Sequence, residues 1–330
     1  MPYDEEQSPT PRRLARSNLM VAVIALAPLT MAGWLIWQAV GSAGPGAPPG
    51  SVVPPPSRSA TATGSAPATS SPAAGPKPSA SAPVSSPTPA PPTPTLPPPG
   101  KGPLSGKVVV IDPGHNPGNF DHSREINKSV NIGTNHKECD TTGTSTNRTS
   151  TRPAYTEAEF TLDVSHRIVK VLRDQGATVL LTQDNDRPWG PCIDERARIG
   201  NAVKADAVVS VHADGSGVGN RGFHVILPAQ VKGGAADTAG IVGPSRELGE
   251  RIAGRFVLAT GSRPSNYVGG GTGLDVRKDL GGLNLSKVPK VFVECGNMRD
   301  PQDAALLTNA AWRQKAAQGI ADGISTYLLG

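Results

Sequence analysis

The stretch Lys107-Val-Val-Val-Ile-Asp-Pro-Gly-His115 decides the fold class. Its four consecutive β-branched residues do not alternate with polar ones, so they read as a strand covered on both faces, and Asp-Pro-Gly-His ends it in a loop. Further apolar runs follow at Ala177–Thr182, Ala207–His212, Gly222–Leu227 and Lys290–Glu294. Between them lie helical patterns. Thr156–Gln175 places Phe160, Val164, Ile168, Val171 and Leu172 at helical spacing, with Gly176 as its stop. Asp194–Val203, Ser245–Ala259, Asp303–Ala310 and Trp312–Leu329 read as helices too. Such alternation predicts an α/β domain with a mixed, largely parallel sheet flanked by helices.

Outward from this core the composition changes. Residues 41–103 carry 20 of the 34 prolines, no aromatic residue, no cysteine and three charges, Arg58, Lys77 and Lys101. Such a segment buries too little apolar surface to offset the entropy of ordering, and reads as a disordered spacer. As polyproline II it would reach roughly 195 Å. Before it, residues 19–40 hold no charge and are long enough, at ~1.5 Å per residue, to span a bilayer as a helix. Arg12, Arg13 and Arg16 precede them, which predicts a cytoplasmic segment 1–18 and a single-pass anchor. The rival is a cleaved signal peptide, whose apolar region runs ~7–15 residues, and which would release a secreted protein. Either way residues 104–330 are expected outside the membrane, with a monomer as the default. These residues carry 26 basic against 24 acidic groups and no basic run with interleaved aromatics, which speaks against nucleic acid as a partner.

Ligands of α/β folds collect at the strand ends. His115 lies just past the first strand, His212 on the third and Glu294 at the end of the last. A catalytic zinc site needs about three His, Asp or Glu ligands and one open position. The third comes from Thr156-Glu-Ala-Glu159: with Thr156 as N-cap, Glu159 closes a capping box, and Glu157 is left free at a helix end that favours its ionised form. The expectation is therefore one Zn2+ on His115, Glu157 and His212. Glu294 would accept the proton of a zinc-activated water and return it to the leaving amine, its pKa raised by an apolar strand.

At these residues the sequence resembles the zinc-dependent N-acetylmuramoyl-L-alanine amidases of actinobacterial type. The likeness is carried by Val110-Ile-Asp-Pro-Gly-His115, Tyr155-Thr-Glu157, Val209-Ser-Val-His-Ala-Asp214 and Val288-Pro-Lys-Val-Phe-Val-Glu294, in order over 104–330. The resemblance implies hydrolysis of the amide between N-acetylmuramic acid and L-alanine of peptidoglycan or muropeptides. Two alternatives share these residues: a cell-wall scaffold without turnover, and a zinc peptidase cutting within the stem peptide. Many relatives continue the last motif as Glu-x-Gly-Phe; here Asn297 stands at the Phe position, where it is expected to hydrogen-bond substrate.

His224, opposite Phe223, Val225 and Leu227, reads as a satisfied structural histidine, with a place in the cleft, against substrate or behind the metal ligands, as the alternative. His166 reads as solvated. Cys139 and Cys192, both in loops, are the natural disulfide pair, and Cys295 an inert core thiol. Residues 116–154 are long for a loop and read as a hairpin or flap at the cleft mouth. Gly269–Gly273 lacks the Gly-Lys-Ser/Thr ending of a phosphate loop and reads as a rim loop.

Overall fold

A computed structural model describes residues 94–151 and 153–330. The expected segments 1–18 and 19–40, and most of the expected spacer, lie outside the described residues. Among the described residues no helix is long and apolar enough to cross a membrane. The folded chain is entered slightly before Leu104, since Gly100 and Gly102 lie directly against Gly176 and Gln175.

The chain order is β1 (Val108–Pro113), α1 (Glu157–Asp174), β2 (Thr178–Leu181), α2 (Ile193–Ala202), β3 (Ala207–Asp214), β4 (His224–Pro228) and α3 (Val242–Thr260). There follow β5 (Leu274–Arg277), α4 (Gly281–Asn284), β6 (Lys290–Asn297), α5 (Pro301–Leu307) and α6 (Ala310–Leu329). The strands form one six-stranded sheet in the order β2-β1-β3-β6-β4-β5. All neighbours are parallel except β6 and β4. The mixed, largely parallel sheet expected from the sequence is thus the one observed.

Alternation along the strands divides the sheet into two faces. Val109, Ile111, Val209, Val211, Val225, Leu227, Val291 and Val293 point to one side, where they meet Phe160, Val164, Ile168 and Leu172 of α1, Leu248, Ile252 and Phe256 of α3, and Ile320 and Ile324 of α6 in one continuous core. On the other side a small cluster of Val110, Ile199, Ala205 and Val208 packs beneath α2. The remainder of that face carries the functional groups.

Two local features fix the entry to the site. Thr156 caps α1 through a complete capping box with Glu159, which leaves Glu157 at the first helical position and buried. The segment 116–154 folds as short helical turns and a hairpin pairing Ser129–Asn131 with His136–Glu138. Cys139 and Cys192 form a disulfide that ties the end of this hairpin to the start of α2, and Cys295 is free and buried. Gly269–Gly271 makes a short turn that leads into β5, an edge strand the sequence reading did not identify.

Candidate metal and catalytic centre

Three chain segments bring His115, Glu157 and His212 together: the loop after β1, the first turn of α1, and the cleft-facing side of β3. Their ligand atoms all lie within 4.8 Å of one another. Glu157 Oε1 is 3.3 Å from His115 Nε2 and 3.0 Å from His212 Nδ1. Ligands ~2.0–2.2 Å from a tetrahedral zinc ion are roughly 3.3–3.6 Å apart; the separation from His115 matches that and the separation from His212 is slightly shorter, so the cluster is close to the size that a shared ion needs. Two imidazoles and a carboxylate also form a donor set suited to zinc.

Close approach of the backbone makes the cluster possible. A Cβ on Gly114 would fall 2.3 Å from the His212 ring, and one on Gly143 would fall 2.8 Å from both Glu157 Oε2 and the His115 ring. Glycine is required at both positions, and at Gly114 this is the physical content of the Pro-Gly-His sequence. His115 itself takes a left-handed backbone with φ 59°.

Each imidazole is oriented by a partner on its far side. His115 Nδ1 donates to the Thr141 carbonyl at 3.0 Å, which turns Nε2 toward Glu157. His212 Nε2 lies 3.1 Å from Ser210 Oγ, and that hydroxyl donates to Asp112 Oδ2 at 2.9 Å. The hydroxyl therefore accepts from the ring, and Nδ1 is left facing Glu157. Phe292 stacks on His212 with centroids 5.2 Å apart.

Behind the histidines sits a buried ionic network. Besides Ser210, Asp112 accepts from Thr182 Oγ1 at 2.6 Å, Arg196 Nη1 at 2.7 Å and Lys290 Nζ at 3.2 Å. The other end of the Arg196 guanidinium donates to Asp140 at 2.9 Å. Burial opposes ionisation of Asp140, but Arg196, His115 and the Thr141 amide together outweigh it and hold this carboxyl down to about 2. Deleting one member of such a network strands an unpaired buried charge and costs about 3–5 kcal/mol.

Electrostatics favour positive charge where the three side chains meet. Burial disfavours a charged His115, yet Glu157 and Asp140 outweigh it and raise its pKa well above the ordinary histidine value. Burial likewise opposes ionisation of Glu157, and His115 and His212 overcome it, holding this carboxyl well below its usual range. A proton or a metal cation meets the same demand.

Glu294 lies one strand from His212, its direct partner in the parallel pairing of β6 with β3. Burial, reinforced by the negative Glu157 and Asp214, pushes its pKa well above the ordinary carboxylate range. Its Oε2 is buried and has no hydrogen-bond partner. On its other side His224 is its direct partner in the antiparallel pairing with β4. Tyr267 closes this end of the face, meeting the His224 ring edge-on at 5.9 Å and donating its hydroxyl to Asp214 at 2.8 Å.

Two sequence expectations are corrected here. Asn297 is fully buried and its hydrogen-bonding capacity is spent on the chain: Nδ2 donates to the carbonyls of Ser216, Gly217 and Asn220, and Oδ1 accepts from the amides of Ser216 and Arg299. It shapes the loop after β3 and has no group left for substrate. His224 is not a satisfied structural histidine, because its buried Nδ1 lacks a partner. His166 is exposed, as expected, and pairs with Asp184. Sequence reasoning missed Ser210, Arg196, Lys290 and Tyr267. The signal for Ser210 and Lys290 was present, as polar residues on otherwise apolar strands, in the same alternation as His212 and Glu294.

The sequence profile of the N-acetylmuramoyl-L-alanine amidase family (Amidase_3) matches residues 109–326. N-acetylmuramoyl-L-alanine amidase Rv3717 of Mycobacterium tuberculosis is 39% identical over 226 residues, which cover 68% of this chain and 88% of that protein. Crystal structures of the N-acetylmuramyl-L-alanine amidase Ami1 from Mycobacterium smegmatis and of its apo form from Mycobacterium abscessus both resemble the chain with a TM-score of 0.61. They are 37% and 40% identical, and each match covers 68% of this chain and 98% or 99% of the other.

Proposed function

Because the chain belongs to the N-acetylmuramoyl-L-alanine amidase family, we propose that His115, Glu157 and His212 hold one zinc ion per domain and that Glu294 is the proton-transferring group. The protein is a peptidoglycan amidase, hydrolysing the bond between N-acetylmuramic acid and L-alanine of the stem peptide. The observation that carries the site assignment is the meeting of three ligand atoms within 4.8 Å beside a partnerless buried carboxylate oxygen. When bound, the ion supplies Lewis-acid polarisation and makes water a usable nucleophile near neutral pH.

The chain's own residues do the rest. Glu157 contributes negative charge and is fixed at Oε1 by the Ala213 amide and at Oε2 by the Thr144 amide. Ser210 and Asp112 hold the His212 ring in the tautomer whose Nδ1 faces the junction. Glu294 accepts a proton from the attacking water, and its raised pKa lets it retain that proton until it can be delivered to the departing L-alanine amine. That delivery completes the split into a lactyl carboxylate and a free peptide.

The same reading takes the amidase domain as a monomer outside the membrane, carried on the apolar segment 19–40 and the proline-rich spacer. Support for the tether comes from the sequence alone. Mass spectrometry of digested muropeptides tests the reaction. The expected products are N-acetylmuramic acid with a free lactyl carboxylate and a stem peptide beginning at L-alanine; cleavage inside the stem would contradict it, and so would intact muropeptide.

A further inference from the structure

We propose that His224 contacts the substrate, donating a hydrogen bond from its imidazole to a carbonyl oxygen of the muramyl peptide beside the scissile amide. The inference rests on the reading of Glu294 as the proton-transferring group.

Residues directly opposite in an antiparallel pair project to the same face with Cβ atoms ~4.5–5.5 Å apart. Glu294 and His224 are such a pair. Phe223, Val225 and Leu227 point into the apolar core, so His224 stands on the opposite side, with Glu294. The residue is 3% exposed, and Nδ1 has neither a hydrogen-bond partner nor solvent. Glu294 Oε2 is in the same condition. Buried polar atoms are almost always paired, so two orphans on neighbouring residues of one face call for a ligand that pairs them.

The ring is also held in place. Tyr267 meets it edge-on with an interplanar angle of 87°, and Asp214 fixes the tyrosine hydroxyl. The charged groups facing His224 are Asp214, Asp275, Arg277 and Glu294. Against the two aspartates, burial prevails and lowers the histidine pKa, which keeps the ring neutral. A neutral imidazole carries one N–H donor. A muramyl peptide offers carbonyl oxygens on both sides of its scissile amide, and the donor beside Glu294 would hold that amide where the proton must arrive.

Four variants of the full chain test this: two at His224, Glu294→Gln, and Glu294→Gln combined with His224→Phe. His224→Phe keeps a ring against Tyr267 but removes the N–H; His224→Asn removes the ring but keeps an N–H near the Nδ1 position. With zinc-loaded protein, His224→Phe is expected to lower kcat/KM by about 30-fold and His224→Asn by no more than about 3-fold, with zinc content and Tm close to wild type in both. A readout independent of turnover uses metal-free Glu294→Gln protein and calorimetric binding of N-acetylmuramyl-L-alanyl-D-glutamate, which adding His224→Phe should weaken by about tenfold. Wild-type turnover and binding in His224→Phe would overturn the proposal, as would His224→Asn losing as much as His224→Phe. Glu294→Gln assayed alongside separates the two readings: full turnover there sinks the Glu294 assignment, whereas loss there with unimpaired His224→Phe sinks only the role of His224.

Discussion

The two faces of the central sheet are drawn from alternate residues of the same strands, yet they obey different rules. Under α1, α3 and α6, Ile111, Val209, Val211, Val225 and Val293 are fully buried in the apolar core. One residue along each of these strands, Asp112, Ser210, His212, His224 and Glu294 face the other way and are polar. The apolar face is non-directional, so similar volumes can replace one another there at modest cost. The polar face is directional: His212 is aimed by Ser210, Ser210 by Asp112, and Asp112 is anchored by Arg196 and Lys290. The same backbone thus derives stability from one side and chemistry from the other.

The contrast can be broken most sharply at His212. Its replacement by Ala removes one of three proposed ligands, and turnover is expected to fall by more than about 10³-fold together with loss of bound zinc. Because the apolar face is untouched, Tm of the metal-free protein should change little; unaltered zinc content would contradict the ligand assignment. Across the sheet, Phe160→Ala empties a fully buried site on α1. It is expected to cost about 3–5 kcal/mol in denaturant unfolding while leaving zinc affinity near wild type. Zinc affinity falling in parallel with stability would show that the two faces are not independent. The smallest effect is that of pH. The raised pKa of His115 means that an incoming cation must displace a proton below that value, so affinity rises with pH and falls on acidification. The expected slope is about tenfold per pH unit for each proton released, measured by zinc titration between pH 5.5 and 7.5; a flat profile would contradict it.

How much of this was legible in the sequence follows from the same contrast. The core strands and long helices announce themselves through periodicity, because burial acts on every residue of an element. Glu157 could be told from Glu159 because helix capping is local, and the observed capping box has the expected partners. Asn297 was misjudged because its partners in 216–220 are some 80 positions away and become neighbours only when β3 and β6 align. His224 was misjudged for the converse reason: a polar residue on an apolar strand suggests a partner, and only the fold shows that its Nδ1 has none. β5 was overlooked because four residues at a sheet edge, entered from a run of glycines, leave too short a pattern to read.

The central claim is that three ligands hold the ion and a fourth residue, Glu294, moves the proton. The most direct test measures zinc content and muropeptide turnover in one preparation of Glu294→Gln. The account predicts close to one zinc per chain, as in wild type, with turnover reduced by about 10²–10⁴-fold. Wild-type turnover in that preparation, or loss of zinc along with activity, would contradict the division of labour described here.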